Sequence, residues 1–164
     1  MTHYRGIIAS LSLLAGSVLI MPSAWGHDTL PPQHTLKRDL TQEEHNRRLV
    51  LSFYDRFFNK HDLKAASIVA DTYKQHNPDV PNGKKHFIAF FTDFFQKNPQ
   101  AHTDIIRSAT EDDLVYLHVH SKDKPTDLGQ AIVDIFRVKN GQIVEHWDVI
   151  QDVPAHSQND NTMF

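Results

Sequence analysis

The hydrophobic period of this chain changes at Pro99, and that change limits the fold more than any other feature. Before it, apolar side chains recur every three or four residues. Leu49, Val50, Phe53, Tyr54, Phe57 and Phe58 share one helical face, and Phe87, Ile88, Phe90, Phe91, Phe94 and Phe95 share another. After it the period is two. Strands are expected at 102–110, 113–121, 130–138 and 142–151, separated by Glu111-Asp112-Asp113, by 123–129 and by Asn140-Gly141. Helices first and an antiparallel meander after them make an α+β domain, with helices packed on a curved sheet. A small sheet of that kind leaves a cone-shaped hollow, where ligands bind.

Helix boundaries can be read locally. Thr41-Gln-Glu-Glu44 has the form of a capping box, with Thr41 as N-cap. Asp62 can cap a short second helix holding Leu63, Ala66, Val69 and Ala70. Residues 73–78 are expected to be extended, because Pro78 disfavours a helical Asn77. Pro81-Asn82-Gly83 is a turn before the Phe-rich third helix.

Residues 1–26 read as a signal peptide: Arg5, an apolar run from Ile7 to Met21, Pro22, then Ala24-Trp25-Gly26 as a cleavage site. The expected address is periplasmic or secreted, with no membrane association after cleavage. Residues 27–40 read as a flexible lead, 41–153 as the domain, and 154–164 as a flexible tail. The formal charge of −3 offers no basic field for nucleic acid. The absence of cysteine excludes disulfides and thiolate chemistry.

One register decides the site. A two-residue turn at Asn140-Gly141 sets Asp134 opposite Trp147. A three-residue turn with a Gly141 bulge sets Asp134 opposite His146. In the bulged register Ile132, Asp134, Phe136, Val144, His146, Asp148 and Ile150 share a face, and Glu145 and Trp147 fall on the other, as a dimer surface. Periodicity alone does not choose between the two.

The segment 133–151 (VDIFRVKNGQIVEHWDVIQ) resembles the C-terminal hairpin of the SnoaL-like polyketide cyclase-type family of the NTF2-like superfamily. Gln75-His-Asn-Pro78 and Asn59-Lys-His-Asp-Leu63 are similar too. The resemblance spans roughly 45–152. It implies a three-helix, mainly antiparallel NTF2-like cone, often a homodimer, and favours the bulged register. It also implies cofactor-independent aldol cyclase or isomerase chemistry beside a carbonyl. By likeness to the ketosteroid isomerases, Tyr54 and Asp134 fit an oxyanion hole, whereas the isomerases' base position before a proline is here Asn77. Asp148 is then the base, with His146 or His118 beside it, and Tyr54 and Asn77 are donors to the oxyanion. Asp134 either donates, if protonated, or orients a histidine. His76, His118, Phe91, Phe95 and Phe136 are expected to line a pocket for a small apolar carbonyl ligand. Twelve histidines raise the question of zinc, but no local ligand spacing supports it, and no metal or cofactor is expected. The rival reading is a non-catalytic periplasmic binding protein that uses the same pocket.

Overall fold

Three helical segments lie on one face of a five-stranded curved sheet in the computed structural model, which describes residues 38–164. The expected signal peptide and most of the lead lie outside the described residues. Helix α1 is Leu40–Tyr54, and one wider π-helical turn, Asp55–Asn59, continues it. A 3-10 segment, Leu63–Ile68, leads into β1, Val69–Gln75. Helix α2 is Lys84–Lys97. Strands β2 (His102–Glu111), β3 (Leu114–Lys122), β4 (Gln130–Lys139) and β5 (Gln142–Asp152) complete the order β1-β5-β4-β3-β2. No helix among the described residues is long and apolar enough to cross a membrane.

The start of α1 differs from the capping box. Asp39 is the N-cap, and its Oδ1 accepts from the Thr41 and Gln42 amides at 3.1 and 3.0 Å. Glu44 therefore does not reach back; it pairs with Arg47 and Arg48. Glu43 faces inward instead, 2% exposed, and accepts from Arg38 and from Thr110 Oγ1. The Arg38 hydrogen bond, supported by Thr110 and the Asp112 amide, outweighs burial and holds the Glu43 carboxyl down at about 2. A group depressed in the folded state adds stability above the ordinary carboxylate range and loses it as pH falls. The urea midpoint should therefore drop between about pH 5 and pH 2, and Glu43→Gln should flatten that slope. An unchanged slope would show the pairing to be energetically idle.

Asp62 caps the second segment, accepting from the Lys64 amide at 3.0 Å. Val69 and Ala70, expected in that helix, instead open β1. This additional strand pairs parallel with β5, and α2, β2, β3 and β4 lie between the two in sequence. The core between helices and sheet joins Val50, Phe53 and Phe57 to Val115, Leu117, Val119 and Ile143. Phe57 is fully buried and stacks on Phe53 and Phe87 at 5.3 and 4.9 Å.

The decisive hairpin combines features of both expected registers. Asn140 and Gly141 are both left-handed (φ 52° and 72°) and form a two-residue turn, with Lys139 opposite Gln142. The extra residue sits further along β5. Val138 faces Ile143 but Arg137 faces Glu145, so Val144 is the bulge. Asp134 is consequently opposite Asp148, and Phe136 opposite His146. The shared face is the one expected, except that Ile143 replaces Val144 on it. The two-residue turn matches the twist of the strands, and the bulge then restores the face that the turn alone would lose.

Gly129 (φ 79°) shows how tightly the approach to β4 is built. A Cβ there would lie 2.3 Å from the Ser121 carbonyl oxygen, whereas one at Gly141 meets nothing within 4 Å. Gly129→Ala should cost roughly 2–4 kcal/mol in urea unfolding and Gly141→Ala about 1 kcal/mol. Equal costs would contradict this packing.

Candidate active site

Alternation along the strands sends Leu117 and Val119 of β3, and Ile132, Asp134 and Phe136 of β4, toward the helices. From β5 come His146 and Asp148, and from β1 Tyr73 and Gln75. The residues from β4, β5 and β1 enclose a cavity of about 340 Å³ whose other wall is Tyr54, Phe58, Phe87, Phe90, Phe91, Phe94 and Phe95, while Leu117 and Val119 pack into the core.

At its polar end, ligand atoms of Asp134, His146 and Asp148 all lie within 4.8 Å of one another. Each of the three is also held from behind. Asp134 Oδ2 accepts from the Tyr54 hydroxyl at 2.8 Å, and Oδ1 lies 2.9 Å from His146 Nε2. His146 Nδ1 lies 2.9 Å from Gln75 Oε1. Asp148 Oδ2 accepts from Asn77 Nδ2 at 2.7 Å.

The hydrogen-bond polarity follows from the backbone. Gln75 Oε1 also accepts the Asn77 amide at 3.0 Å, so it is an acceptor, and His146 Nδ1 must donate to it. His146 Nε2 then faces a carboxylate oxygen, and a single proton must lie between them. Asp134 and His146 share that proton. Asn77 is oriented in the same way: its Oδ1 accepts the Asp79 amide at 2.8 Å, which turns Nδ2 toward Asp148.

Two phenols complete the site. Burial first, then the charge of Asp134, raises the Tyr54 hydroxyl well above its ordinary value. Burial, then Asp134 and Asp148, does the same for Tyr73. Both remain proton donors. Tyr54 spends its proton on Asp134, so it positions the acid and is not the free donor expected. Tyr73 accepts from Gln75 Nε2 at 3.2 Å, and its own hydrogen meets no acceptor among the described residues. Sequence reasoning missed Tyr73 and Gln75 as site residues. The signal was their spacing of two, which places both on the same face once 69–75 is read as a strand.

Phe91, Phe95 and Phe136 line the cavity, and Phe136 packs on the His146 ring at 4.7 Å. His76 and His118 do not. His76 follows inward-facing Gln75, so it points outward, where it stacks on Trp147 at 4.7 Å and meets Glu145 at 2.9 Å. His118 lies between inward-facing Leu117 and Val119; on the outer face it meets Arg107 at 2.9 Å. His120 shares that face and stacks on Phe164 at 4.1 Å.

Comparison with known proteins agrees with this architecture. A SnoaL-like protein of unknown function from Burkholderia thailandensis E264 superposes with a TM-score of 0.58 at 18% identity, covering 66% of this chain and 96% of that one. An NTF2-like protein of unknown function from Mesorhizobium loti gives 0.56 at 19%, covering 67% and 93%. A candidate ketosteroid isomerase from Kribbella flavida DSM 17836 gives 0.59 at 14%, covering 72% and 86%. Such identities carry the fold alone. No curated protein matches the chain in sequence. The family model of SnoaL-like polyketide cyclases, however, matches residues 48–159, which include α2, all five strands and every polar group of the cavity, and the chain therefore belongs to that family.

Proposed function

We propose that this protein catalyses proton transfer next to a carbonyl group, as a cofactor-independent cyclase or isomerase acting on a small apolar carbonyl compound. The observation that carries the reading is the convergence of Asp134, His146 and Asp148 within 4.8 Å at one end of an aromatic cavity. Asp148 takes the proton from carbon through the oxygen that Asn77 leaves free. The electron pair moves to the carbonyl oxygen, where the unspent Tyr73 hydroxyl meets the developing charge. The phenylalanine wall holds the rest of the ligand and excludes water.

The N-terminal segment supports export to the periplasm. Exposed Val133 and Val149, beside Trp147 on the outer face, support a homodimer.

A thermal-shift screen of small ketones and diketones identifies binders, since a ligand raises Tm by mass action. Each binder is then incubated with the protein in D2O and followed by NMR. The expected result is protein-dependent deuterium uptake at the carbon beside the carbonyl. Binders that exchange no faster than in buffer would overturn the catalytic reading in favour of a binding protein.

A further inference from the structure

The cavity lining contains four aspartates, Asp79, Asp123, Asp134 and Asp148, and neither lysine nor arginine. Its one histidine, His146, shares a single proton with Asp134, so that pair adds no net charge. Asp148 is met by a neutral amide. Asp79 and Asp123 are exposed and make no ion pair among the described residues. Lys122 and Lys124 flank Asp123 in sequence but stay outside the lining, and Lys124 turns to Asp127 at 3.8 Å. Three carboxylates therefore project an uncompensated negative field into a cleft with low-dielectric walls, which concentrate it. The remaining lining is aromatic. Phe90 is 38% exposed and packs edge-to-face with Phe91 at 5.1 Å, and phenyl rings attract organic cations to their faces.

We infer that the cavity selects its carbonyl ligand by charge: it takes a compound bearing an ammonium group ahead of an uncharged one, and rejects carboxylates. This rests on the proton-transfer reading for the carbonyl group and departs from it in the rest of the ligand, which is cationic rather than wholly apolar. The carbonyl sits at Asp148 and Tyr73. The cation lies among the phenylalanine rings, within the field of Asp79 and Asp123.

The test uses one aryl ketone skeleton with three tails: trimethylammonium, tert-butyl and carboxylate. Titration calorimetry at pH 7 should rank them in that order, each step about tenfold or more. The spread should shrink at about 0.5 M salt, where exposed charges are screened. The Asp79→Asn/Asp123→Asn double variant should narrow the gap between ammonium and tert-butyl while still binding the tert-butyl ketone, which shows that the cavity is intact. Equal affinities, an inverted order, or no binding by any of the three overturns the inference. Deuterium exchange on the same ketones is read separately. The expected ranking without exchange overturns only the catalytic reading, and exchange without the ranking overturns only this one.

Discussion

Asp134→Ala is expected to lower the unfolding free energy by about 3 kcal/mol, and Asp134→Asn by less than about 1 kcal/mol. Asp134 and His146 are only 6% and 7% exposed, and Tyr54 only 3%. Truncation removes the acceptor of the Tyr54 hydroxyl and the partner of His146 Nε2, so two buried polar groups are left unmade together. Asparagine keeps both contacts. Its oxygen accepts from Tyr54, and its amide donates to Nε2 of a neutral His146 whose Nδ1 still donates to Gln75. The measurement is urea unfolding followed by circular dichroism. If asparagine costs as much as alanine, the site needs the carboxylate's charge, and the shared-proton arrangement is wrong.

The hydrogen-bond logic that decides this pair was only partly visible in the amino-acid order. The switch of period at Pro99 made three helical segments and four strands legible, because aromatic spacing and β-branched alternation both act within a few residues. The shared face of Asp134, His146 and Asp148 was legible too. The turn behind it was not, since a Gly141 bulge and a Val144 bulge leave the same residues beyond them on that face. Strand β1 was hidden for a different reason. Val69 and Ala70 suit a helix locally, and only pairing with β5, more than seventy residues away, makes them a strand. Residues 73–78 read as extended but not as a strand of the sheet, so Tyr73 and Gln75 had no assigned face, and His76 was placed on the wrong one. His118 was misplaced because its even-numbered alternation with Leu117 and Val119 defines a face without saying which side is covered. Asp39 took the cap from Thr41 because each can bond to amides of the first turn, and the inward pull on Glu43 comes from Arg38 and Thr110, which local spacing does not reveal.

Asp148→Asn is expected to reduce the rate of deuterium exchange by about 10²–10⁴-fold, the usual contribution of a positioned general base. Affinity for an uncharged ketone should change little. Asp148 is half-buried, and its hydrogen bond from Asn77 survives the substitution because the amide oxygen accepts as the carboxylate did. Folding should be unaffected: the removed charge has no cationic partner, and the side-chain volume is nearly conserved. What disappears is a lone pair able to take a proton from carbon. An Asn77→Ala variant separates positioning from chemistry. It frees the Asp148 carboxylate without removing it, so exchange should fall less than in Asp148→Asn. If instead Asp148→Asn exchanges at the wild-type rate on a ligand that binds normally, the proton goes to another group. The shared Asp134–His146 proton then becomes the centre of the chemistry, and Asp148 is left as one more negative wall of the cavity.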